Sequence, residues 1–363
     1  MRPLVIFPSV RASENFGKYF QNFAKYGHSP AVMVIDETAH HRDSIIDQFT
    51  FAYAKNEHCT PSLEFYGVEE RKNFFQWLTK KHKELVHSEL LIPEHSHDEL
   101  SFGLLVAATR NYDMIVFLDD DTYPLDEDFL GQHRRSLNLV SAEARSHQGS
   151  WVNTHPVYFV RGFPYSERSE PFTVEHAIDP TSSVLHMGCW SGIPDLNAYD
   201  YIVFQPKAED QCAPHNYRLA KGQFAPICSM NLAFRPEIIP AFYQLWDNNR
   251  YNDIFSGIFL KHIADHLGKS VSVGGPLCYH EKAPRDYFKD AAIELASIKL
   301  NEVLWRIISQ IPLKSDTWLS CYRELAKALN VRFHESEFGD IIELMTSQMM
   351  LWCETVEALM PNA

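Results

Sequence analysis

Residues 114–121, Met114-Ile115-Val116-Phe117-Leu118-Asp119-Asp120-Asp121, decide the fold. A short apolar run with β-branched residues leads directly into three consecutive carboxylates, and the run reads as a buried strand of a parallel sheet. In open α/β sheets ligands bind beyond the carboxyl ends of the strands, so these acids emerge where a site belongs. Three adjacent negative charges repel one another, and a hard divalent cation held by carboxylate oxygens relieves that repulsion. The triplet therefore points to a Mg2+ or Mn2+ site that holds a diphosphate. The plainer alternative is a strand ending in a polar turn, since Thr122-Tyr123-Pro124 follows.

The flanking sequence alternates in the same way. Leu4–Phe7 reads as a first strand before a helix near 13–26. Ala31–Ile35 is a second strand, also ending in acids at Asp36 and Glu37, and Leu63–Tyr66 is a third. Helical spacing covers about 69–89 and 98–110. Strands alternating with helices predict a doubly wound α/β domain. From 151 to 235, Pro, Gly, Asn, Ser and aromatics are dense, and loops with short strands are expected. Asn252–Leu267 returns to helical periodicity with Asn252 as cap and Gly268 as stop, and Val271–Leu277 reads as a further strand. Three helices follow near 291–311, 316–329 and 340–359. The last carries a stripe at 341, 345, 349, 352 and 356, suited to core packing or to contact with another subunit, of the same or a different chain. The expected division is 1–290 for the α/β domain and 291–363 for a helical C-terminal extension packed on it.

Composition narrows the function. The 363 residues are 45% hydrophobic and 13% aromatic, which suits a folded globular chain. A net charge of −14 argues against nucleic acid or an anionic membrane as partner, while a small anionic substrate stays open if local cations reverse the sign. The seven cysteines, at 59, 189, 212, 228, 278, 321 and 353, are scattered and contain no CxxC pair. Reduced thiols in a cytoplasmic protein are expected. Leu4–Phe7 is too short for a signal peptide and no stretch approaches a membrane span, so a soluble protein is expected.

Four further blocks carry candidate chemistry: Val160–Arg168, Gly188–Asp195, Cys228–Phe234, and Arg250-Tyr251-Asn252-Asp253 running on to Tyr279-His280-Glu281-Lys282-Ala283. Arg161 and Arg168 can clamp phosphate oxygens, because the guanidinium fork makes bidentate contacts and keeps its charge; taken alone, two exposed loop arginines are the preferred reading. Trp190 suits stacking on a sugar or base, or burial. Asp195 suits hydrogen bonds to sugar hydroxyls, or a turn. His280 follows a strand and can complete a Mn2+ shell with Asp121. Asp253 opens a helix, where a carboxylate complements the dipole; a catalytic role is the sharper alternative.

Taken in order, Ile6–Arg11, Phe102-Gly103, Asp119–Asp121, Arg161–Arg168, Gly188–Asp195, Cys228–Phe234, Tyr251–Gly268 and Tyr279–Ala283 resemble the reversibly glycosylated polypeptide family, the plant UDP-arabinopyranose mutases. The likeness covers most of residues 1–285. It implies a glycosyltransferase-A-type fold, with a Rossmann-type mixed sheet flanked by helices, a divalent metal and a UDP-sugar substrate. The implied reaction exchanges the pyranose and furanose forms of UDP-arabinose without a flavin. In that family an arginine of the Arg161/Arg168 motif is linked to reversible self-glycosylation. The chain departs from the family pattern at Asn252-Asp253, where two aspartates stand in relatives, and at Glu281, where serine is usual.

The expected assignment follows. Asp119 and Asp121 hold Mn2+ or Mg2+ with His280 as a further ligand, and Asp120 assists through ribose or water. Arg161 and Arg168 stabilise the departing diphosphate. Pro8, Ser9, Arg11 and Asp36 line the uridine pocket, and Asp119, Trp190, Asp195 and Asn231 complete the substrate contacts. The rival within the same fold is a glycosyltransferase using Asp253 as general base toward a separate acceptor. A haloacid-dehalogenase-type phosphatase fits less well, because its Asp-x-Asp-x-Thr pattern would need threonine where Tyr123 stands. A non-catalytic UDP-sugar-binding partner of a true mutase is a third alternative.

Overall fold

The computed structural model describes residues 2–9, 14–36, 40–85, 87–93, 99–138, 141–146, 150–168, 174–179, 182–208, 216–245, 250–282 and 284–361. Its elements, in chain order, open with β1 (Pro3–Ser9), α1 (Asn15–Lys25), β2 (Ala31–Asp36), α2 (Arg42–Tyr53), β3 (Ser62–Tyr66), α3 (Val68–Lys81) and α4 (Glu99–Ala108). Next come β4 (Met114–Leu118), β5 (Thr122–Pro124), α5 (Phe129–Asn138), β6 (Ser141–Ser146), β7 (Val174–Asp179), β8 (Ser183–Gly192), α6 (Ala198–Phe204), β9 (Tyr217–Leu219) and β10 (Asn231–Phe234). The chain continues through α7 (Asn252–His266), β11 (Ser270–His280), α8 (Tyr287–Ser309), α9 (Trp318–Phe333) and α10 (Gly339–Leu359).

One mixed sheet organises these elements, in the order β3-β2-β1-β4-β10-β8-β11-β9-β6-β7, with β5 paired to β11. Strands β3, β2, β1 and β4 are parallel. Strands β2 and β4 are buried at every position, which is why their sequences lack alternation: helices cover both faces. Strand β10 runs antiparallel to β4 and β8, and β11 runs parallel to β8. The direction changes twice, so the carboxyl ends of β1, β2, β4, β8 and β11 all reach one edge. Ser9, Asp36, Leu118, Gly192 and His280 end up there.

Helix α1 buries Phe16, Phe20 and Phe23 along one stripe, with the Phe16 ring edge-on to Phe7 at 4.8 Å. Gly103 lets α4 lie against β1, since a Cβ there would come within 2.7 Å of the Ile6 side chain. Strand β8 is the largest departure from expectation. Its residues Ser183–Gly192 are buried on both faces, and Gly, Ser and His interrupt the apolar run, so no periodic signal marks it. Strand β11 also runs further than expected, and His280 is its last residue. Asn252 is the first residue of α7, with Tyr251 in the capping place.

The expected division at residue 290 falls inside α8, which begins at Tyr287 behind the Asp286 side-chain cap. Helix α8 braces the 161–168 loop. Asn301 Nδ2 donates to the Gly162 carbonyl at 2.8 Å, and Glu302 accepts from the Tyr165 and Ser166 amides at 2.6 and 3.1 Å. Trp305 meets Trp151 edge-on at 6.0 Å. On α10, Met345, Met349, Trp352 and Val356 are buried within the chain and belong to its core, while Ile341 at the head of the stripe is half-buried. Trp352 stacks on Tyr243 at 5.1 Å and donates Nε1–H to the Ile239 carbonyl at 3.1 Å.

Trp352→Ala should therefore destabilise the protein by about 3–5 kcal/mol through lost burial and the cavity left behind. Leu295→Ala, on the exposed side of α8, should stay within about 0.5 kcal/mol of the parent. Chemical denaturation followed by circular dichroism checks both values.

Candidate active site

The acid triplet is pinned from both sides. The Asp119 amide donates to the Met230 carbonyl at 3.3 Å, and Thr122 Oγ1 donates to the Asp119 carbonyl at 3.0 Å. Tyr19 closes the group with a 2.9 Å hydrogen bond to the Thr122 hydroxyl. Strand β5 then pairs Thr122 with His280, and the Glu281 amide donates to the Asp121 carbonyl at 2.9 Å. Asn15 Nδ2 donates to the Asp120 carbonyl at 3.3 Å and to Glu281 at 3.1 Å. Asp120 is buried, while Asp119 and Asp121 are partly exposed. Burial first, and then the charges of Asp121, Asp120, Asp253 and Asp195, push the Asp119 carboxyl well above its ordinary value. Negative charge is in excess at this edge.

His280 is fixed by a two-point contact across β8 and β11. Its carbonyl accepts from the Ile193 amide at 3.0 Å, and its Nδ1 lies 2.7 Å from the Ile193 carbonyl. A carbonyl only accepts, so Nδ1 carries the proton and a neutral ring keeps its lone pair on Nε2. Gly192, with φ of +87°, permits the close approach: a Cβ there would sit 2.6 Å from the His280 carbonyl. Nε2 stands 3.7 Å from Asp121 Oδ2, a separation that suits two ligands of one ion. Among the described residues no three His, Cys, Asp or Glu side chains form a closed metal cage. Asp121 and His280 thus fit a hard cation that completes its shell with water and phosphate oxygens.

The expected arginine clamp is arranged differently. Arg161 is buried, and all five of its N–H donors are engaged within the chain. Nε donates to Asp195 at 2.8 Å; Nη1 donates to Asp253 at 3.0 Å and to the Arg250 carbonyl; Nη2 donates to Asp253 at 2.9 Å and to Cys228 Sγ at 3.6 Å. Arg168 donates through Nη1 to both Asp200 oxygens at 2.9 and 3.0 Å, and its guanidinium lies 3.7 Å over the Tyr165 ring. In this arrangement Arg161 presents no unspent fork to a diphosphate, because carboxylates distant in sequence take its donors first, whereas Arg168 spends Nη1 on Asp200 and Nη2 on the Phe163 carbonyl at 3.3 Å and keeps Nε without a partner among the described residues.

Asp253 is equally saturated. Oδ1 accepts from Arg161 and the Ile254 amide, Oδ2 from Arg161 and the Ser229 amide. Asn231, expected to touch substrate, is fully buried; it bonds His133 at 2.8 Å and the Cys189 and Pro276 carbonyls at 3.0 and 2.9 Å, so it holds the sheet together. Trp190 is buried on β8, and its Nε1 meets no acceptor among the described residues. Asp36, beside Ser9 in register, accepts from Arg42 Nε at 3.3 Å. The Ser9 hydroxyl is buried with no partner among the described residues, and Pro8 is half-buried beside it. Arg11, also expected in that pocket, lies outside the described residues.

Asp195 stands between two cations. Burial alone would raise its carboxyl, but Arg161 and then Lys282 hold it well below the ordinary range. Lys282 is the residue that sequence reasoning passed over. Its side chain is 5% exposed, 3.6 Å from Asp195 Oδ1, and 3.8 Å above the Tyr201 ring. Burial pulls its amine down to about 8. Arg250 was likewise given no role, yet its carbonyl anchors Arg161 while its guanidinium pairs with Asp290 at 3.1 Å and Glu294 at 2.7 Å on α8.

The model of a family described as "Reversibly glycosylated polypeptide" matches residues 86–360. The chain belongs to that family. The match runs through α8, α9 and α10, further than the likeness read to residue 285, and leaves β1 to α3 outside it. UDP-arabinopyranose mutase 1 of Arabidopsis thaliana is 30% identical over 211 residues, 56% of each chain. Probable UDP-arabinopyranose mutase 2 of Solanum tuberosum is 31% identical over 275 residues, covering 72% of this chain and 71% of its own. The chain thus spans about 56% of the length of the first curated relatives it matches. Among solved structures, the mannosyltransferase PcManGT from Pyrobaculum calidifontis, in complex with GDP-Man and Mn2+, overlays with a TM-score of 0.39 and 11% identity, over 99% of this chain and 73% of that one. A superposition that loose assigns no residue.

Arg161→Met removes the cation paired with buried Asp253, leaves buried Asp195 with Lys282 as its neighbouring cation, and should cost about 3–5 kcal/mol at neutral pH. Because the folded Asp195 value is depressed, its share of that stability is present above about pH 4, the unfolded value, and fades as pH falls toward the folded one. Urea denaturation of parent and variant from pH 7 downward should show the gap narrowing only below about pH 4.

Proposed function

We propose that this chain is a metal-dependent, flavin-independent nucleotide-sugar mutase that interconverts the pyranose and furanose forms of a UDP-arabinose-like sugar. The observation that carries the reading is the Asp121 carboxylate set against the His280 lone pair at the sheet edge where the parallel strands end, in a chain whose relatives are called UDP-arabinopyranose mutases. A bound Mn2+ or Mg2+ would supply Lewis-acid stabilisation of the diphosphate as it takes up the bonding electrons. The chain's own residues do the rest. Ser9 and Asp36 stand where the nucleoside would enter, the acid loop is held rigid by Asn15, Tyr19 and Thr122, and the buried strand ends keep bulk water away from an electron-poor anomeric carbon.

For the ring exchange, the anomeric carbon parts from the diphosphate, the sugar's 4-hydroxyl bonds to that carbon and the old ring oxygen leaves it, one proton passes from the first oxygen to the second, and the same diphosphate re-forms its bond to the anomeric carbon. Asp195, kept ionised by its two cations, is the carboxylate suited to accept that hydroxyl's hydrogen bond through Oδ1. Transfer to a separate acceptor with Asp253 as base is the weaker reading, since all four of that carboxylate's bonding positions are taken. Self-glycosylation at Arg161 would require an Nη atom to leave Asp253 or the Arg250 carbonyl and to surrender a proton, which a guanidinium resists. A cytoplasmic setting is supported by the unbridged state of the described cysteines. No described helix is long and apolar enough to cross a membrane.

Incubation of the pure protein with UDP-arabinopyranose and Mn2+, without any acceptor, should give the furanose isomer on anion-exchange chromatography. Chelation should stop conversion and re-added Mn2+ restore it. Asp121→Asn should lower turnover by about 100-fold or more while leaving the melting temperature within about 2 °C. Release of free arabinose with no isomer would overturn the mutase reading in favour of transfer.

A further inference from the structure

We propose that Lys282, rather than Arg161, is a cation that meets the diphosphate of a nucleotide sugar in this site; the inference rests on the nucleotide-sugar reading above. The argument is one of unspent donors. Three cations surround Asp195 besides His280: Arg161, Arg250 and Lys282. Arg161 uses every N–H it has on Asp195, Asp253, Cys228 and the Arg250 carbonyl. Arg250 is paired with two acids of α8. Lys282 differs. An ammonium has three donors, and among the described residues its nearest carboxylate oxygen, at 3.6 Å, lies beyond hydrogen-bond range.

Nothing about the position is accidental in physical terms. Lys282 follows Glu281, whose amide is bonded to the Asp121 carbonyl, so the lysine is tied to the acid loop through the main chain. Its φ of +48° places it in the left-handed region, which a residue with a side chain enters at a cost. That conformation directs a long charged side chain inward, against Tyr201, where only 5% of it remains exposed. A buried ammonium with donors to spare is costly unless a ligand takes them. The ligand must be anionic and must reach Lys282, two residues from His280, while touching the Asp121 and His280 pair. A diphosphate offers one phosphate group to the Asp121 and His280 pair and a second to Lys282, two residues further along the chain. Asp195, 3.6 Å from the ammonium, stands beside the sugar when the diphosphate arrives.

Calorimetric titration of uridine and of UDP, each in the presence of Mg2+, tests this with the full-length chain, Lys282→Met and Lys282→Arg. The expected result is that Lys282→Met weakens UDP binding by about tenfold or more, the worth of one charge-assisted hydrogen bond, and leaves uridine binding as in the parent. Lys282→Arg should recover most of the UDP affinity. Equal binding of UDP by the parent and Lys282→Met overturns the assignment, and so does a parallel loss of uridine and UDP, which would mark the lysine as structural. A parent that binds neither compound sinks the nucleotide reading itself, and the lysine's role with it.

Discussion

Five carboxylates, Asp119, Asp120, Asp121, Asp195 and Asp253, act on one another across a single edge of the sheet, and the site is built around balancing that charge. The fold does this in two ways. On the α7 side, Arg161 is driven between Asp195 and Asp253 and neutralises them with every donor it owns. On the β4 side the carboxylates of the acid triplet crowd one another, and burial together with that like charge makes the Asp119 carboxyl hold its proton more tightly. A hard cation and its phosphate ligand beside His280 would relieve that crowding.

Part of this was legible in the sequence because it depended on neighbours in the chain. Met114–Leu118 declared a buried strand through uninterrupted apolar character, and Asp119–Asp121 marked its carboxyl end. Likewise Leu4–Phe7 and Ala31–Ile35 showed themselves as strands covered on both faces. The roles of Arg161 and Arg168 were not legible. An arginine's chemistry depends on which of its donors are already used, and here the consumers lie 34 and 92 residues away for Arg161 and 32 away for Arg168. Asn231 misled for the same reason, since its partners His133, Cys189 and Pro276 come from three separate elements.

Strand β8 failed to announce itself for a different physical cause. A strand buried on both faces has no alternation, and this one gives up side-chain volume at Gly188 and Gly192 so that Asn231 and the end of β11 can come close. Those glycines look like loop punctuation in one dimension. The burial and left-handed turn of Lys282 are similarly invisible, because they follow from β11 running as far as His280 and from Tyr201 arriving on a helix eighty residues earlier in the chain.

The C-terminal helices bear on how the protein tolerates damage. Asp290 and Glu294 at the start of α8 grip Arg250, whose carbonyl in turn steadies Arg161, while Glu302 further along the same helix tethers the Tyr165 and Ser166 amides. A proteolytic nick ahead of Tyr287 would therefore do more than shed a tail. By freeing Arg250 from its counter-charges, it would loosen the internal salt cluster from behind, so the candidate site would be disturbed by a cut that never touched it.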